Sequence, residues 1–104
     1  MASSKDYLVF VLDLLRDIPN ISYKKMMGEF LLYKNNVLFG GIYDDRFLVK
    51  KTESITDLEL KVVIPYPGAK AMLLIDSEDS DEIADIINKV IEDISNEILR
   101  SIRK

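Results

Sequence analysis

The chain has 104 residues, 48% hydrophobic and 31% charged, with a formal net charge of −4 at pH 7. That length suits one domain with its own core, the balance is globular rather than disordered, and the charge speaks against bulk affinity for nucleic acid or anionic lipid. There is no cysteine and no histidine, which excludes disulfides, thiolate nucleophiles and zinc–sulfur sites and removes the commonest general base near neutral pH.

The Met1-Ala2-Ser3-Ser4 start carries no basic region followed by an apolar run, and no stretch approaches a membrane span. A soluble, cytoplasmic protein without membrane contact is expected. Ser3 or Ser4 opens a first helix, with Ser3 and Asp6 spaced like a capping box. Tyr7, Leu8, Val11, Leu12, Leu14, Leu15 and Ile18 then share one side at helical spacing. Phe10 widens the stripe and Val9 lies among polar residues, so part of this helix is free to meet a partner. Pro19-Asn20 ends it.

From Tyr23 to Lys50, two polar dipeptides, Asn35-Asn36 and Asp44-Asp45, divide the sequence into three apolar runs. This predicts a meander of antiparallel strands joined by two-residue turns. Pairing across Asp44-Asp45 sets Ile42 opposite Phe47, Gly40 opposite Val49 and Gly41 opposite Leu48. Pairing across Asn35-Asn36 adds Tyr33–Leu38, Leu31–Gly40, Leu32–Phe39 and Phe30–Gly41. Opposed residues share a face, and both faces come out apolar. Leu31, Tyr33, Leu38, Ile42, Phe47 and Val49 fall together on one of them.

Thr52 to Leu60 gives conflicting signals, with Ser54 and Asp57 as candidate starts of a short helical turn. Lys61–Ile64 reads as a short strand, Pro65-Tyr66-Pro67-Gly68 as a type II turn centred on Pro67-Gly68, and Ala71–Asp76 as a further strand. A final helix follows, capped by Asp79 or Ser80, with Ile83, Ile86, Ile87, Val90, Ile91, Ile94, Ile98 and Ile102 in one stripe. Asp81 and Glu82 begin it and Arg100, Arg103 and Lys104 end it, each sign complementing the helix dipole. Helix, strands, helix is the order of an α+β fold: residues 1–104 as one domain, a two-layer antiparallel meander flanked by two helices.

No motif declares a reaction. The Asp44-Asp45 carboxylates belong to a hairpin tip, the acids from Asp76 to Glu82 lack the glycine and terminal glutamate of a calcium loop, and the glycines do not follow a nucleotide fingerprint. No cofactor and no metal site is therefore expected. Lys24, Lys25, Lys50 and Lys51, with tyrosines for stacking, form the candidate nucleic-acid surface. An enzyme would need a pocket joining carboxylates to Tyr23, Tyr33 or Tyr43. The two-sided apolar sheet predicts a homodimer through Leu31, Tyr33, Leu38, Ile42, Phe47 and Val49, or through Val9 and Phe10.

The opening Ser3-Ser4-Lys5-Asp6-Tyr7-Leu8, the run Tyr23-Lys24-Lys25-Met26-Met27-Gly28 and the turn Tyr66-Pro67-Gly68 resemble the N-terminal domain of the TfoX family, associated with regulation of competence genes. Tyr33, Phe39, Asp44-Asp45-Arg46 and Lys50 match that family's meander, so the motif positions are Tyr23, Lys25, Met26, Gly28, Tyr33, Phe39, Asp45 and Lys50. Met27 stands where the family has Phe, and the segment from Lys51 to Pro65 is short. The resemblance implies a secretion-chaperone-like fold and a non-catalytic regulatory module with an unidentified protein partner. It also implies a stand-alone domain, since the C-terminal helical domain of full-length regulators is missing here.

Overall fold

The computed structural model describes residues 3–103. Met1-Ala2, Lys104 and the Arg103 side chain lie outside the described residues. The elements are α1 (Lys5–Leu14), β1 (Ile21–Met26), β2 (Glu29–Lys34), β3 (Val37–Ile42), β4 (Phe47–Lys50), a 3-10 helix (Glu53–Leu58), β5 (Val62–Val63), β6 (Met72–Leu74) and α2 (Ser80–Arg103). The strands form one antiparallel sheet in the order β1-β2-β3-β4-β6-β5. This is the expected α+β fold, a sheet with an N-terminal helix and a long C-terminal helix.

The meander has four strands rather than three, because the first apolar run is itself a hairpin. Its turn is Met27-Gly28, with φ of 51° and 83°. An exposed Met tip with a following glycine supplies the left-handed pair such a turn needs. Asn35-Asn36 and Asp44-Asp45 also adopt positive φ at both positions, as expected. The register across Asp44-Asp45 is as expected: Ile42 opposite Phe47, Gly41 opposite Leu48 and Gly40 opposite Val49.

Across Asn35-Asn36 the expected register holds only for Tyr33–Leu38. An irregularity between Leu32 and Tyr33 then moves the pairing by one residue, giving Leu32–Gly40, Leu31–Gly41 and Phe30–Ile42. The extra residue is Phe39, fully buried. A β-bulge of this kind exchanges the faces on either side of it. The face assigned above to Leu31, Tyr33, Leu38, Ile42, Phe47 and Val49 is therefore two faces. Ile42, Phe47 and Val49 lie with Phe30 and Leu32 in the core, under the helices, and are corrected from an open surface to interior residues. Leu31, Tyr33 and Leu38 are half-buried on the outer side.

The core joins these sheet residues to Leu8, Val11 and Leu15 of the first helical segment, Ile55 of the 3-10 helix, and Ile83, Ile86, Ile87 and Val90 of α2. The outer face is partly closed from within the chain. Tyr43 lies across Gly41, where a Cβ would come within 2.8 Å of its ring. Tyr66 packs beside Tyr43 at a centroid distance of 6.3 Å. Leu48, opposite Gly41, is fully buried. Tyr66 is held by the predicted turn, in which the Ala69 amide donates to the Tyr66 carbonyl at 3.1 Å and Gly68 has φ of 87°.

α1 is shorter than expected, ending at Leu14 before turns lead to Ile18. Its cap is Ser4, whose Oγ accepts from the Tyr7 amide at 3.1 Å; Ser3 has a different task. The last helix is capped by Asp79, which accepts from the Asp81 amide at 2.9 Å. Its 24 residues make a rod about 36 Å long, and only its first half is core.

Candidate functional site

Ser3, Glu29 and the Asp44-Asp45 turn form a polar knot. The Ser3 hydroxyl donates to Glu29 Oε1 at 2.7 Å and accepts from the Asp45 amide at 3.0 Å. Glu29 also accepts from the Ser3 amide at 2.9 Å and the Asp44 amide at 3.0 Å. Asp45 Oδ1 accepts from the Ser4 amide at 2.7 Å. The knot ties the start of α1 to two hairpin tips and fixes the strained left-handed aspartates, so these carboxylates serve the fold.

A second tie joins the 3-10 helix to α2. Asp93 accepts from the Ser54 hydroxyl at 2.6 Å and the Ser54 amide at 2.9 Å. These bonds from Ser54 hold the Asp93 carboxyl below its ordinary value.

A groove of about 560 Å³ lies between the ends of β3 and β4, the segment leading into β6, the Tyr66 turn and α2. Tyr43, Tyr66, Lys50, Lys51, Lys70, Met72, Ile94 and Glu97 are among its lining residues. Burial raises the Tyr43 phenol above its ordinary value, with Tyr66, Glu29 and Tyr33 adding to the effect. A smaller cleft adjoins the groove, lined by Lys51, Glu53, Asp93, Glu97 and Arg100. Lys70 and Tyr66 had no place in the expected site; their proximity to Lys50 arises from the pairing of β4 with β6, which sequence spacing does not display.

The four expected lysines do not form one patch. Lys50 and Lys51 share the groove. Lys24 and Lys25 lie on β1, an edge strand three positions away in the sheet, and alternate faces along it. There they suit the protection of an open edge against further pairing. The tyrosines are also dispersed. Tyr23 packs edge-on against Phe30 at 6.0 Å, Tyr33 is half-buried on the outer face, and Tyr43 alone of the three lines the groove. The other motif positions hold structure: Met26 and Gly28 at the first hairpin tip, Phe39 in the bulge, Asp45 in the polar knot.

Apolar side chains reach solvent on both helices and also at the Met26-Met27 hairpin tip, Leu58, Val62, Ile64 and Tyr66. On α1, Val9 and Phe10 are exposed. On α2, Ile91 and Ile94 still touch the core, whereas Ile98, Leu99 and Ile102 are 51%, 49% and 73% exposed. The Ile stripe of α2 thus runs past the body of the protein as an apolar overhang. Among the described residues no helix is long and apolar enough to cross a membrane, and no group of acids suits a metal ion.

A small antiparallel sheet with helices on one face, a lysine-lined groove and an apolar helical overhang defines a class of architecture rather than a chemistry. The chain is similar to an uncharacterized 12.7 kDa protein in the trpE 5′ region of Spirochaeta aurantia, 32% identical over 72 residues. The match takes in 67% of this chain and 63% of that protein, so the chain spans under two thirds of the relative's length. No protein-family model matches the chain.

Proposed function

We propose that the protein is a non-catalytic interaction module of the TfoX N-terminal kind, linked to transcription, which pairs with a second copy of itself and engages another protein. The observation that supports this reading is the α2 overhang. A helix whose first half is core and whose last turns present Ile98, Leu99 and Ile102 to water gains by burying that stripe against a partner. A second copy fits it by charge. Glu92 and Glu97 precede Arg100 along the helix, so two overhangs packed antiparallel bring the acidic stretch of each beside the basic end of the other. This moves the dimer contact from the sheet face, whose Ile42, Phe47 and Val49 are interior, to α2.

The test is capture from native cytosol with the wild-type chain and with the Ile98→Asp/Ile102→Asp variant, alongside transcript profiling of a deletion strain. The proposal predicts a specific protein recovered by the wild type and altered transcript levels on deletion. Recovery of the bait alone, with unchanged transcripts, contradicts it.

A further inference from the structure

We infer that the groove at the end of the sheet is a binding site for a small organic anion with a flat or apolar body, of the chemistry of a nucleoside monophosphate or an aromatic carboxylate. The volume, about 560 Å³, lies within the range of small-molecule sites. Its electrostatics run against those of the whole chain. The protein carries 18 acidic and 14 basic residues, yet Lys50, Lys51 and Lys70 face this groove with Glu97 as the acid among its lining residues. The ion pairs found among the described residues, Arg16–Asp13 and Lys89–Asp85, involve none of these lysines. Three ammonium groups against the one carboxylate of Glu97 leave the groove lining with a positive excess, and an anion placed among them relieves their mutual repulsion.

The wall beside the lysines is suited to the rest of such a ligand. The Tyr43 and Tyr66 rings stand 6.3 Å apart at 44°, and Met72 and Ile94 line the same space. Aromatic faces take a flat ring by stacking, while the lysines hold the charged group through charge-assisted hydrogen bonds. Tyr43 is held in place across Gly41, so this wall exists before any ligand arrives. The inference does not depend on pairing through α2.

The experiment is an amide NMR titration of the intact protein with four probes: adenosine monophosphate, 2-naphthoate, neutral adenosine and inorganic phosphate. At least one of the two flat anions should shift the amides of residues 50–52, Tyr66 and residues 68–72 saturably, with adenosine about tenfold weaker or worse. Preference for adenosine monophosphate marks a phosphate ligand, and preference for 2-naphthoate a carboxylate. The Lys50→Gln/Lys70→Gln variant should weaken binding by about tenfold or more, as expected for lost hydrogen bonds to charge, and Lys24→Gln should not. If the double variant fails to fold, the comparison of charged and neutral probes on the wild type decides. Absence of saturable shifts at millimolar concentrations of both flat anions overturns the inference. So does equal binding of adenosine, or a response centred on Lys24 and Lys25.

Discussion

Glu29 accepts hydrogen bonds from the Ser3 amide, the Ser3 hydroxyl and the Asp44 amide, and this makes its carboxylate more than a surface charge. Glu29→Gln presents an amide donor to groups that are themselves donors. It should destabilise the fold by about 1–3 kcal/mol in urea denaturation, the range for a donor left unsatisfied; no change in midpoint would show that the knot carries no stability. Gly40 is a second sensitive position, because a Cβ there runs into the Leu48 carbonyl oxygen and lies 2.9 Å from the Val49 Cα. Gly40→Ala should cost about 1–3 kcal/mol through overpacking against rigid backbone, and an unchanged thermal midpoint would contradict the bulged register. Paired glycines inside a strand mark a bulge or a close approach of a helix or backbone, and here the crowding comes from the backbone of the neighbouring strands and from the Tyr43 ring.

Among elements, the 3-10 helix is fastened to α2 by Asp93, which lends its carboxylate to Ser54 on another segment. The folded pKa of Asp93 is lowered, so the stability it contributes is present above its unfolded value and is lost as pH falls through the folded one. Asp93→Asn keeps a carbonyl acceptor for Ser54 but loses the charge of an exposed group, so it should lower the thermal midpoint only slightly near neutral pH. In thermal melts the gap between variant and wild type should close toward low pH; a gap constant with pH would mean that the charge plays no part. At this scale the sequence was readable where polar punctuation marks a turn. Asn35-Asn36, Asp44-Asp45 and Pro67-Gly68 all turn as expected. It misled where an apolar residue does the turning, as Met27 does, and where a hydrophobic residue is inserted into a ladder, as Phe39 is. Neither leaves a signal in alternation, because a bulge changes face without changing composition.

At the scale of the whole molecule, the Cα trace measures 42 × 33 × 27 Å, and the helix dipole and Ile stripe of α2 were legible in the sequence. Where the core stops along that stripe was not, because periodicity records which side of a helix is apolar and not how far its neighbours extend. The groove was equally hidden, since Lys50 and Lys70 meet only through the pairing of β4 and β6. If the overhang is an interface, its apolar residues should be the ones that hold two copies together. The most direct measurement is sedimentation equilibrium of the wild type and of Ile98→Asp/Ile102→Asp at micromolar concentration. A wild-type mass near twice 11.9 kDa, with the variant folded and near the monomer mass, is the predicted result. A wild type that stays monomeric across that range, or a variant that still pairs, would contradict assembly through α2.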